Sequence, residues 1–119
     1  MPKVIIHAST SEALGSKGKL VQGIRNALKI ELNLDRISGQ VILYESPTLH
    51  RSTYQERDPN FVMIETFMYP GRSQEKKSAL MERFIFNVEK YLGIDRKNVH
   101  LVIHEIQQEN YFGGILGKH

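Results

Sequence analysis

The feature that most restricts this chain is an internal repeat. Displaced by about 60 residues, Leu32-Asn33-Leu34-Asp35-Arg36 falls on Leu92-Gly93-Ile94-Asp95-Arg96, and Val41-Ile42-Leu43-Tyr44-Glu45 falls on Leu101-Val102-Ile103-His104-Glu105. The same displacement lays Lys17, Leu20 and Leu32 over Lys77, Leu80 and Leu92. A fixed period marks one supersecondary unit used twice, each copy burying the apolar face of the other. A length of 119 residues holds two such units within one domain spanning 1–119 and leaves no room for a further core.

Each half reads as strand, helix, strand. Val4-Ile5-Ile6-His7-Ala8 opens the first, and Ser9 with Glu12 three residues on has the spacing of a capping box, which predicts a helix start there. Leu20, Val21, Ile24, Leu28 and Leu32 recur at helical spacing, although Gly15 and Gly18 weaken the early turns. Asn33 stands where a left-handed cap is expected, and 41–45 is a short apolar strand. In the second half Phe61-Val62-Met63-Ile64 opens a strand, and Ser73 after Pro70-Gly71 is the expected cap. Leu80, Met81, Phe84, Val88, Tyr91 and Leu92 form its stripe, Gly93 ends it, and 99–104 is the last strand.

The units therefore run over about 2–46 and 62–106. A connecting loop over 47–60 carries Pro47 and Pro59, and a tail over 107–119 contains a Gly113-Gly114-Ile115-Leu116-Gly117 turn. Two tandem β-α-β units predict an α+β fold: a four-stranded sheet with both helices on one face. Lys3, Ile5 and His7 fall on the alternation that the helices leave open, so that face is not plainly polar. Such a face predicts burial by neighbouring subunits.

Composition removes several functional classes. No cysteine means no disulfide, zinc thiolate or cysteine nucleophile. Sixteen Lys plus Arg against 13 Asp plus Glu leaves a formal charge of +3 in short, scattered clusters, too weak a basic footprint for nucleic acid. No run reaches a membrane span, and Met1-Pro2-Lys3 leads straight into a strand, so the expectation is a cytoplasmic chain with no membrane partner. Five histidines show no ligand spacing. His100 and His104 share a strand face but have no third ligand in sight, so no metal is expected. No phosphate-binding glycine loop and no nucleophile elbow occurs, which leaves the reading cofactor-free.

One remaining group carries chemistry. With proline second, the initiator methionine is expected to be removed, exposing a secondary amine at the start of a buried strand. A free α-amino group titrates near about 7.7–8.0, and burial or a nearby cation disfavours its protonated form further, so it can serve as a general base near neutral pH. Tyr69-Pro70-Gly71-Arg72-Ser73 adds an arginine at a strand-to-helix junction, where a guanidinium can grip a carboxylate in a bidentate fork.

In these residues the chain resembles the tautomerase superfamily, whose members begin with a catalytic proline and are built from strand-helix-strand units. Gly71-Arg72-Ser73 resembles the Gly-Arg-Ser motif of the 4-oxalocrotonate tautomerase group. Val102-Ile103-His104-Glu105 followed by Tyr111-Phe112-Gly113-Gly114 resembles its last strand, aromatic residue and glycine turn. The likeness covers nearly the whole chain as two fused units, as in malonate semialdehyde decarboxylase and the cis-3-chloroacrylic acid dehalogenases. It implies a homotrimer with sites near subunit contacts, no cofactor, and a small carboxylate substrate. It also implies Pro2 as general base, Arg72 as carboxylate anchor, Tyr111 keeping the amine's surroundings apolar, and Phe112 as the neighbour able to substitute for it.

The departures are informative. His100, a candidate substrate-binding residue, stands where short tautomerases carry a second arginine, Tyr69-Pro70 where the decarboxylase and dehalogenase members carry another, and Glu12 where a second Gly-Arg-Ser arginine would fall. One clear anchor favours enol-keto isomerisation of a small 2-oxo acid. Hydratase, decarboxylase or dehalogenase chemistry would also need an acidic water activator, for which Asp35, Glu45 and Glu105 are the candidates. The opposing class is a non-catalytic ferredoxin-like binding module, or a tautomerase fold retained as a scaffold.

Overall fold

A computed structural model describes residues 2–34, 39–54 and 57–113. Strand β1 (Lys3–Ser9) leads to helix α1 (Lys17–Glu31) and strand β2 (Gln40–Ser46). After a connecting segment, strand β3 (Val62–Met68), helix α2 (Gln74–Leu92) and strand β4 (Val99–Glu105) follow. The sheet order is β2-β1-β3-β4. Each β-α-β unit contributes a parallel pair, Lys3 beside Gln40 in the first and Val62 beside Val99 in the second. The units join through an antiparallel β1–β3 pairing centred on Ile6 and Ile64. This is the four-stranded, two-helix α+β arrangement that the repeat implied.

The repeat extends to side chains. Leu20, Ile24, Ala27 and Leu28 of α1 are buried, as are their counterparts Leu80, Phe84, Asn87 and Val88 of α2. These helix faces close over Val4, Ile6 and Ala8 of β1 and Val62, Ile64 and Met68 of β3, one alternation of each strand, to form the core. Lys17 bonds Glu45 across the first unit, and Lys77 lies 3.4 Å from Glu105 across the second. On the opposite sheet face His7 stacks on Tyr44 at 6.2 Å and Phe67 stacks on His104 at 4.6 Å, the same pairing with residue types exchanged.

Two local expectations hold in detail. Asn33 has φ 53° and Gly93 φ 73°, so both helices end in the left-handed region, and the Ser73 Oγ accepts from the Lys76 amide at 3.2 Å to cap α2. The start of α1 differs from expectation. Ser9 ends β1 instead of capping a helix, and its Oγ donates to Asn60 Oδ1 at 2.6 Å; the cap is Ser16, whose Oγ accepts from the Lys19 amide. Gly15 lies against the Tyr91 carbonyl with no room for a Cβ, so this linker is shaped by packing on α2 and not by its own propensity. The Gly113–Gly117 turn lies outside the described residues beyond its first glycine, and Asp35 is also outside them.

Candidate active site

The antiparallel register decides what surrounds Pro2. Lys3 pairs with Phe67, so Pro2 stands at the carboxyl end of β3, where Tyr69 to Ser73 turn into α2. Pro2 is buried, and its carbonyl accepts from the Gln40 amide at 3.2 Å. Gly39 makes this approach possible: at φ 79° a Cβ there would overlap the Pro2 carbonyl. Arg72 is half-buried between Gly71, at φ 119°, and the Ser73 cap. Its guanidinium pairs with no carboxylate among the described residues.

Tyr111 reaches the same end of the sheet. A short 3-10 turn over Gln108–Asn110 follows β4 and brings its ring edge-on to Tyr69, with centroids 6.1 Å apart. Burial, and then the neighbouring Tyr111 phenol, pushes the Tyr69 hydroxyl above its ordinary pKa, keeping it neutral. Lys3 Nζ bonds Gln40 Oε1 and lies 5.7 Å over the Tyr111 ring. Beside them opens a cavity of about 210 Å³ with Lys3, Ile5, Ile42, Phe67, Ile106 and Tyr111 in its wall. Phe112, next in the chain, is 75% exposed and stands outside this cavity.

His100 is placed elsewhere in the chain. It pairs with Met63 near the amino end of β3 and lines a second cavity, of about 420 Å³, with Phe61, Met63 and the 52–54 segment; its ring meets Phe61 edge-on at 5.7 Å. Pro2, Arg72 and Tyr111 thus gather at one end of the sheet, and His100 lies toward the other. Glu45 and Glu105 point to the helix side of the sheet and are bonded to Lys17 and Lys77, which removes them from the open face.

Lys3, Gln40 and Tyr69 are the site-lining residues that sequence reasoning passed over. Strand alternation put Lys3 on the open face, but only the β1–β3 register and the turn after β4 bring it to Tyr111. A second missed feature is central to that face. Glu65 Oε2 lies 2.7 Å from His7 Nε2 and Oε1 lies 3.1 Å from His104 Nε2, joining three strands through one carboxylate. The bond from His7, and secondarily that from His104, holds Glu65 below the usual carboxylate range against the opposing effect of burial. Among the described residues no group of three His, Asp or Glu side chains is arranged to hold a metal, and no helix is long and apolar enough to cross a membrane.

A duplicated β-α-β sheet with a proline at its first strand and an arginine at the facing junction is the setting in which residues 40–113 match the family model described as Tautomerase enzyme. The chain belongs to this tautomerase family. Among curated proteins none matches it. A fused 4-OT wild-type symmetric trimer superposes with a TM-score of 0.83 at 20% identity, over 98% of this chain and 94% of that one. Pt0534 inactivated by 2-oxo-3-pentynoate gives 0.81 at 21% identity, over 94% and 92%. FG41 malonate semialdehyde decarboxylase inhibited by 3-bromopropiolate gives 0.79 at 17%, over 95% and 89%. These similarities establish the tautomerase fold across both units.

Proposed function

We propose that this tautomerase family member is a cofactor-independent isomerase that interconverts the enol and keto forms of a small 2-oxo carboxylic acid. The secondary amine of Pro2 is the general base, Arg72 is the carboxylate anchor, and Tyr111 keeps the amine's surroundings apolar. The observation that carries this reading is the placement of buried Pro2 opposite the Tyr69–Ser73 junction, where Arg72 has no acidic partner among the described residues. An unpaired guanidinium at a strand-to-helix junction suits a substrate carboxylate. A base in partly apolar surroundings keeps its neutral form near physiological pH. Isomerisation is favoured over hydration because both strand-end glutamates are occupied by lysines on the far side of the sheet.

The same reading includes a homotrimer. Ile42 and Tyr44 of β2 are 44% and 55% exposed on the open face, beside Ile5, Met63 and Phe67. An apolar sheet face of this kind favours burial by neighbouring subunits, and relatives of the same fold are described as trimers.

Ketonisation of phenylenolpyruvate tests the assignment in wild type, Pro2→Ala and Arg72→Ala. Loss of about 100-fold or more in kcat/KM for Pro2→Ala is expected for removal of a general base; equal rates in all three proteins would overturn it. Intact-mass measurement supplies a second check. If Met1 is retained, the Pro2 nitrogen is an amide and the preparation should be inactive.

A further inference from the structure

Lys3 is an ammonium with apolar neighbours and no acidic partner among the described residues. Its methylene stem lines the 210 Å³ cavity, where it is the one charged residue among the described ones, beside Ile5, Ile42, Phe67, Ile106 and Tyr111. An ammonium has three donors, and among the described residues Gln40 Oε1 takes one. The carboxylate on the adjoining stretch of β3, Glu65, is already bonded by His7 and His104. Across the site Tyr69 and Tyr111 present phenols and no anion. A half-buried cation without a counter-charge carries a desolvation cost that an oxygen ligand would relieve.

With Arg72 on the carboxylate, the charge that develops on the 2-oxygen has no cation of its own. Arg72 is one anchor, and His100, at the position where a second was sought, faces another cavity. Lys3 follows Pro2 directly, so the strand that places the amine also places the ammonium.

We propose that Lys3 is a substrate-binding catalytic residue whose ammonium contacts the 2-oxo oxygen, and that the adjoining cavity selects a monocarboxylate 2-oxo acid with an apolar or aryl side chain. The proposal rests on the assignment of Pro2 as the base. In ketonisation the Pro2 amine takes the proton of the enol hydroxyl as that O–H bond breaks. The oxygen lone pair forms the C=O bond, and the C2=C3 electrons take a proton at C3 from the Pro2 ammonium, leaving amine and keto acid. Negative charge resides on the 2-oxygen between these transfers, and Lys3 donates to it there. The side chain on C3 then lies among Ile5, Ile42 and Phe67. A second carboxylate at the same end would enter that apolar wall with Lys3 already donating to the 2-oxygen, a burial disfavoured unless paired.

The experiment measures kcat and KM for phenylenolpyruvate and for the dicarboxylate enol 2-hydroxymuconate with wild type, Lys3→Met and Lys3→Arg. Isothermal titration of each protein with phenylpyruvate accompanies it. Expected are a fall of about 100-fold in kcat for Lys3→Met with KM changed by less than about threefold, and recovery to within about tenfold in Lys3→Arg. Phenylpyruvate should bind Lys3→Met about tenfold more weakly, and wild type should prefer the aryl enol by at least about tenfold in kcat/KM. Unchanged kcat together with unchanged phenylpyruvate affinity in Lys3→Met overturns the role of Lys3, and preference for the dicarboxylate overturns the substrate class. The two readings fail separately. If Pro2→Ala keeps full rate the base assignment falls while the titration still judges Lys3; a Pro2-dependent enzyme indifferent to Lys3→Met sinks this inference alone.

Discussion

His7 Nε2 lies 2.7 Å from Glu65 Oε2, a bond that crosses from β1 to β3 at the middle of the open sheet face. Because the carboxylate accepts, the histidine donates from Nε2, and the second carboxylate oxygen is met by His104 at 3.1 Å. One acid thereby ties the two repeats together on the side opposite the core, and its titration is linked to folding.

Glu65 titrates lower in the folded chain than in the unfolded one, first because of the bond from His7. It therefore contributes stability that is present above its unfolded pKa of about 4.3 and is lost as pH falls through its folded value. Glu65→Gln should make the decline of melting temperature between about pH 6 and about pH 3 shallower than in wild type. Thermal melts across that range decide it; parallel curves would contradict the linkage.

Gly39 combines φ 79° with a carbonyl where a Cβ would go. Gly39→Ala should destabilise by about 1–3 kcal/mol, the range for a strained backbone position, and should displace Pro2 because the overlap is with its own carbonyl. Denaturant unfolding gives the first quantity. Loss of ketonisation at temperatures where the variant remains folded gives the second.

Phe84 is the largest fully buried side chain among the described residues and belongs to the α2 face that closes the core over β1 and β3. Phe84→Ala should cost about 3–5 kcal/mol through lost burial and the cavity left behind. Its repeat partner Ile24 is equally buried but smaller, and Ile24→Val should cost about 0.5–1.5 kcal/mol. Paired unfolding curves test the ratio.

Tyr111 contributes its ring to the cavity wall and its edge to Tyr69. Tyr111→Phe preserves both, so activity should stay within about threefold of wild type, whereas Tyr111→Ala removes that part of the wall and should lower kcat/KM by about tenfold or more. A Tyr111→Phe variant as impaired as Tyr111→Ala would assign the function to the hydroxyl instead of the ring.

Local sequence determined a large part of this protein. Leu20, Ile24, Leu28 and Leu32 announce one buried helix face, Leu80, Phe84, Val88 and Leu92 announce the other, and Asn33, Ser73 and Gly93 mark helix ends, because helical periodicity and capping act over a few residues. The displacement of about 60 residues carried the two-unit plan, and Pro2 and Arg72 stood out as candidates for chemistry because their type and position are unusual in themselves. Tertiary structure alone decided the rest. Ser9 could cap a helix by its spacing to Glu12, yet pairing with β2 and the bond to Asn60 keep it in the sheet, and Ser16 caps instead. Lys3 meets Tyr111, Glu65 joins His7 to His104, and His100 turns to a different cavity, all through strand register. Register is set by the burial of whole faces across three strand pairings, a long-range balance that no window of neighbouring residues contains.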